Sequence, residues 1–95
     1  MDAKFLSLAR LPGRLKSEEA AQVLGFETHE IPILVAAKLL RPLGSPKRNA
    51  VKYFSATAIE EAARDEQWLH RATKAIYTYW EKQNESRLKK PAMFN

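Results

Sequence analysis

The most constraining feature of this chain is an apolar run over 31–40, in which Lys38 is the only charged residue. A glycine turn at Gly25 comes before the run, and the segment 41–52 after it has four basic residues and no acidic one. A helix that is apolar around most of its circumference needs packing partners on more than one side. The chain must therefore cover this run with other elements while it exposes the basic segment.

Length and composition set the outer limits. The chain has 95 residues, which suits one domain with a single modest core. Its formal net charge of +5 is compatible with a polyanionic partner and equally with an ordinary basic surface. The absence of cysteine excludes disulfides and thiolate metal sites. No apolar segment approaches the ~20 residues of a membrane span, and we expect a cytoplasmic protein.

Local signals predict two short helices in the first half of the chain. Alternating residues over 14–16 indicate a short strand, and Ser17 is a suitable N-cap for a helix over 17–24. Gly25 supplies the left-handed residue that ends such a helix. A second helix is predicted over 28–40, with Thr28 as its cap and Pro32 tolerated in its first turn.

The second half reads as a hairpin followed by two helices. Prolines and glycine over 41–46 and β-formers over 49–54 predict a β-hairpin. The next helix begins after Ser55 or Thr57, and Asp65 marks a bend or a new cap. An uninterrupted helical pattern from residue 66 to about residue 89 predicts a long last helix, which Pro91 ends.

Two segments of this sequence resemble a known family. Residues 15–26, LKSEEAAQVLGF, look like the opening of excisionase-type and MerR-like winged helix-turn-helix domains. Leu39, Leu40 and Pro42, followed by 52–55, KYFS, fall where that family has the entry to its wing and its basic-aromatic exit strand. The resemblance covers about residues 14 to 64.

The resemblance implies a mainly α fold, a winged helix-turn-helix with a small β-hairpin wing and a long C-terminal helix. It divides the chain into an N-terminal arm over 1–13, the winged domain over 14–64, a C-terminal helix over 65–90 and a flexible tail over 91–95. Such domains bind double-stranded DNA, often as dimers or side-by-side arrays, with the second helix in the major groove and the wing against the adjacent backbone or minor groove. A regulatory, recombination or architectural role would follow.

The chain departs from the family pattern in its second helix, which has few side chains able to read bases. With Ile31, Leu34 and Val35 turned to the core, the outward positions of that helix are His29, Ile33, Ala36, Ala37 and Leu40. We expect the apolar ones to be covered within the monomer, by the arm or the last helix, with a protein interface as the second explanation. DNA contact is therefore expected mainly through phosphates, from the wing and from the ends of the second helix. The candidate DNA-binding residues are Thr28, His29, Lys38, Arg41, Lys47, Arg48 and Lys52.

The alternative function is a non-catalytic protein-interaction or dimerisation module with the same winged fold. It would use the apolar second helix and an aromatic stripe on the last helix. The stripe either packs on the winged domain or forms a seam with a partner, and we expect its first part inside and its last two residues outside. The candidate interface residues are Trp68, Ala72, Ile76, Tyr79 and Trp80.

No pattern in the chain predicts an enzyme, a metal site or a cofactor. There is no glycine-rich phosphate loop and no nucleophile with a local base. The two histidines, His29 and His70, do not have the spacing of metal ligands. Arg71, Lys74 and Lys82 on the last helix are most simply a solvated face, with a second DNA contact as the other interpretation.

Overall fold

The computed structural model describes the backbone of residues 11–92 and the side chains of residues 11–85. This part of the chain is mainly helical and contains one antiparallel sheet of two strands. The predicted mainly α class is therefore correct, and most of the predicted arm and the residues 93–95 lie outside the described part. The elements in chain order are β1 Arg14–Lys16, α1 Ser17–Leu24, a 3₁₀ turn Thr28–Glu30, α2 Ile31–Ala36, β2 Tyr53–Ser55, α3 Ala56–Arg64 and α4 Glu66–Ala92.

Helix α1 has the predicted bounds, but its N-terminus is capped differently. Glu19 Oε1 accepts a hydrogen bond from the Lys16 backbone N–H at 2.9 Å. Because β1 runs directly into the helix, Lys16 takes the extended capping position and Ser17 becomes the first helical residue. The predicted end is confirmed, since Gly25 has φ +86° and its N–H donates to the Ala21 carbonyl at 2.8 Å.

The second helix is shorter than predicted, because α2 ends at Ala36 instead of residue 40. Lys38 adopts a left-handed conformation with φ +64°, which turns the chain out of the helix. Leu40 then lies in the core at 8% exposure, as does Ile33, so these two apolar positions are covered within the monomer, as expected. The left-handed turn is what allows the residues after α2 to fold back onto the core.

The start of this helical segment also differs from the prediction. Glu27 occupies the capping position and Thr28 is the first residue of the 3₁₀ turn, so Thr28 is not a cap. Glu30 Oε1 accepts a hydrogen bond from the Glu27 N–H at 2.8 Å. Pro32 lies in the first turn of α2, as expected from its missing N–H.

The predicted β-hairpin over 41–54 is wrong, because β2 pairs with β1 and the segment 41–52 contains no strand. The register places Leu15 opposite Phe54, and these side chains are 0% and 1% exposed. Burial of this pair stabilises the long-range pairing, whereas the two prolines in 41–52 have no N–H to donate to a ladder. The sheet thus joins the entry to α1 with the entry to α3.

Both later helices begin at side-chain caps. Ser55 Oγ accepts a hydrogen bond from the Ala58 N–H at 3.2 Å, which selects Ser55 over Thr57 as the cap of α3. Asp65 Oδ1 accepts from the Gln67 N–H at 3.0 Å and from the Trp68 N–H at 3.1 Å. The predicted new cap at Asp65 is confirmed. Helix α4 continues to Ala92, so it does not end before Pro91 as predicted.

The first half of α4 packs on the rest of the domain. Trp68, Ala72 and Ile76 are buried at 8%, 0% and 5% exposure, and Trp68 Nε1 donates to the Leu39 carbonyl at 3.1 Å. These three residues lie in the chain's own core, so they do not present an interface to a partner in this fold. Tyr79 and Trp80 are each 40% exposed, which matches the predicted division of the stripe.

Candidate nucleic-acid interface

Residues 41–52, which we call the cationic loop, fold back on themselves without forming a sheet. The Leu43 N–H donates to the Tyr53 carbonyl at 2.8 Å and closes the loop at its base. Inside the loop the Ala50 N–H donates to the Lys47 carbonyl at 2.9 Å. Lys52 Nζ donates to the Arg48 carbonyl at 3.1 Å, so this lysine stabilises the loop as well as adding charge to it.

The charges of the cationic loop are not compensated by nearby acids. Arg41, Lys47 and Arg48 are exposed, and Lys52 is partly buried. Within residues 11–85, no carboxylate forms an ion pair with any of these four side chains. The loop therefore presents a local excess of positive charge to any ligand that reaches it.

Arg14 adds a basic group at the base of the loop that sequence reasoning missed. Its guanidinium carbon lies 4.0 Å from the centroid of the Tyr53 ring, in a cation–π arrangement. Tyr53 is also the residue whose carbonyl closes the loop. The pairing of β1 with β2 creates this position, and only a prediction of that pairing would have found it.

Thr28 and His29 are exposed at the 3₁₀ turn, but this helix start already holds an acidic side chain. The carboxylate of Glu30 accepts the Glu27 N–H, and its negative charge opposes the docking of a phosphate there. The His29 ring lies edge-on to Trp80, with 6.3 Å between ring centroids. His29 thus lies against the last helix, whereas Lys47, Arg48 and Lys52 share one loop.

Lys38 is exposed in the left-handed turn after α2 and not on the face of a helix. From this position Lys38 cannot orient the second helix on DNA in the way that a lysine on the helix face would. In the turn it immediately precedes the segment that leads into the cationic loop. It contributes positive charge between α2 and the loop, without a helical position from which to read bases.

A second concave surface, which we call the α2/α4 groove, lies between those helices and has a volume of about 500 Å³. Its floor is formed by Ile33, Ala36 and Ala37 on one side and by Ala75 on the other. Thr78 and Tyr79 of α4 complete the lining together with three cations, Arg71, Lys74 and Lys82. The sequence indicated these cations as a charged face and the last helix as one possible cover for Ala36 and Ala37. It did not predict that the two alanines stay exposed beside the cations.

The described residues provide neither a metal site nor a membrane span. No group of three histidine, aspartate or glutamate side chains there is arranged to hold a metal ion. None of the described helices combines the length and apolarity needed to cross a bilayer. Comparison with protein-family models, curated proteins and solved structures gave no match for the chain.

Proposed function

We propose that this chain is a small DNA-binding protein of the winged helix-turn-helix type, in which the cationic loop takes the place of a β-hairpin wing and contacts phosphates. The observation that carries the proposal is the folded-back loop whose four basic side chains have no acidic partner within residues 11–85. A polyanion that docks on such a loop releases condensed counterions, and this release drives binding. Arg14 at the base of the loop extends the same basic surface.

The order of elements supports this proposal. A short helix, a tight glycine turn and a second helical segment are followed by the loop, a strand and a capped helix. α1 and α3 pack against each other around a core that contains Leu15, Leu34 and Phe54. The loop is attached to this core at both ends, and the hydrogen bonds of Leu43 and Ala50 hold its backbone, which lowers the entropy lost when it binds.

The expected mode of binding is mainly electrostatic. Lys38 is the side chain nearest to α2 that could contact a base edge, and it lies beyond the end of the helix. Arg, Asn or Gln side chains that make bidentate contacts with base edges are absent from α2. The protein would therefore bind duplexes of different sequence with similar affinity at low salt and lose affinity steeply as salt is added.

Anisotropy of a fluorescein-labelled random duplex, titrated with protein at several salt concentrations, tests the proposal directly. The double variant Lys47→Ala/Arg48→Ala should flatten the slope of log affinity against log salt by about 2, since two phosphate contacts are lost. Arg64→Ala/Lys82→Ala is the control, because it removes two exposed cations outside the loop and its base. Absence of duplex binding by the wild type at low salt would refute the proposal.

A protein-interaction module is the second candidate, and the α2/α4 groove with the exposed Tyr79 and Trp80 favours it. Ala37→Glu is the suitable groove variant, because Ala37 is exposed whereas Ile33 is buried and its replacement would disturb the core. Light scattering on the wild type, Ala37→Glu and Trp80→Ala measures self-association. A monomer in all three with intact duplex binding would count against dimerisation.

A further inference from the structure

The α2/α4 groove combines an apolar floor with a wholly cationic set of charged side chains. The residues that line it include Arg71, Lys74 and Lys82 and no carboxylate. The floor consists of small side chains, chiefly Ala36, Ala37 and Ala75, which leave room for apolar side chains of another molecule. An occupant that complements this surface must bring both apolar groups and negative charge.

The arrangement of the cations gives the length of the occupant. Arg71, Lys74, Thr78 and Lys82 recur at intervals of three and four residues, so they follow one face of α4. The span from residue 71 to residue 82 corresponds to about 16 Å along the axis, or roughly three helical turns. A segment of similar length, laid along the groove, would place acidic groups opposite all three cations.

We propose that the α2/α4 groove binds an amphipathic, acidic helical segment of a partner protein. Apolar residues of the segment at helical spacing fill the space above the alanines, and its flanking glutamate or aspartate side chains pair with Arg71, Lys74 and Lys82. This interaction goes beyond the proposed DNA binding and does not depend on it, because the cationic loop contributes no residue to the groove.

Charge and chemistry favour this occupant over three others. A DNA backbone carries phosphates but no apolar groups to cover the alanine floor. A second copy of the chain carries a net charge of +5 and would be repelled on average. The chain's own residues 1–10 contain Lys4 and Arg10 against Asp2 alone, so they do not complement a cationic rim.

Selection from a displayed library of random 15-residue peptides on the full chain tests the proposal without assuming a sequence. The charge-reversed variant Arg71→Glu/Lys74→Glu serves for counter-selection. Enriched peptides should carry acidic residues around apolar ones. In anisotropy measurements, Lys74→Ala/Lys82→Ala should weaken the best peptide about tenfold, as expected for two exposed ion pairs. Replacing the peptide's acidic residues with their amides should have a similar effect, whereas Lys47→Ala/Arg48→Ala should have none.

Several results would overturn the proposal. One is that no peptide is enriched on the wild type over the charge-reversed variant. Another is that the enriched peptides lack acidic residues. A third is that the best peptide binds the wild type and Lys74→Ala/Lys82→Ala with the same affinity. Displacement of the peptide by a synthetic peptide of residues 1–10 would assign the groove to the chain itself. If the chain forms a dimer and the dimer no longer binds the peptide, the groove would be assigned to a second copy of the chain. If Lys74→Ala/Lys82→Ala lost duplex binding but kept peptide binding, the groove would be a DNA surface. Duplex binding by the wild type is a separate measurement that tests the proposed function.

Discussion

The cationic loop and the contact between α2 and α4 differ in what holds their residues in place. In the contact, buried side chains such as Leu34, Ala72 and Trp68 fix one helix against another, and an indole N–H reaches a backbone carbonyl. In the loop, three of the four cations are exposed and the main restraints are hydrogen bonds within the loop and at its base.

This difference predicts that stability and the proposed DNA binding are separable in this protein. Buried apolar residues of the contact, such as Leu34, Ala72 and Trp68, do not line the α2/α4 groove, so their replacement should lower the free energy of unfolding. Basic residues of the loop bury little surface, so their replacement should lower affinity for a polyanion and leave the free energy of unfolding almost unchanged. A mutation that broke this separation would show that the loop and the contact are coupled.

Trp68→Ala should have the largest effect on stability. It removes a buried indole and its hydrogen bond to the Leu39 carbonyl, and we expect the free energy of unfolding to fall by about 3–5 kcal/mol. Urea denaturation followed by circular dichroism measures the change. Trp80→Ala is the matched control, because Trp80 is 40% exposed and should cost far less. Equal losses for the two variants would contradict the assignment of Trp68 to the core.

Added salt should have the next largest effect, and it should act on binding alone. If all four cations of the loop contact phosphates, affinity for a duplex should fall about a hundredfold between 50 and 200 mM salt. The midpoint of urea denaturation should shift little over the same range, since the folded chain is held mainly by apolar packing. An affinity that hardly changes with salt would contradict the claim that the loop binds DNA through its charges.

Ser55→Ala tests whether a residue close to the loop, at the end of β2, contributes to stability. Loss of the hydrogen bond from the Ala58 N–H should destabilise α3, and we expect a loss of about 1 kcal/mol in the free energy of unfolding. Thr57→Ala is the control, because Thr57 is exposed and Ser55 already provides the cap. A larger loss for Thr57→Ala than for Ser55→Ala would reverse the observed choice of cap.

Lys52→Ala should have the smallest effect and asks whether the shape of the loop matters. Lys52 and Lys47 each supply one positive charge, but only Lys52 donates to the Arg48 carbonyl across the loop. Lys52→Ala should therefore weaken duplex binding more than Lys47→Ala, by about threefold, which corresponds to one modest hydrogen bond. Side-by-side anisotropy titrations make the measurement, and identical losses would mean that charge alone determines affinity.

Sequence reasoning predicted the features that depend on neighbours a few residues apart. The bounds of α1, its end at Gly25 and the cap at Asp65 all follow from local hydrogen bonding between residues close in the chain. The choice between Ser55 and Thr57 stayed open because both residues satisfy the same local rule. Only the structure shows which hydroxyl reaches an N–H.

Several features that depend on distant residues were mispredicted or missed. β2 was expected to pair within a hairpin, but its partner is the strand over 14–16, which lies far away in sequence. The early end of α2 depends on the burial of Leu40 beneath other elements. The α2/α4 groove depends on how α4 lies across α2, and periodicity within a single helix carries no information on that arrangement.

The six residues of α2 set a limit on how this protein could choose among DNA sequences. A helix of that length rises only about 9 Å, and it ends before its one lysine neighbour. Preference for particular sites would then arise from indirect readout, in which stiff A-tracts with a narrow minor groove and easily kinked pyrimidine–purine steps differ in deformation energy. Such a protein would be sensitive to the bend and groove width of a site more than to the identity of its bases.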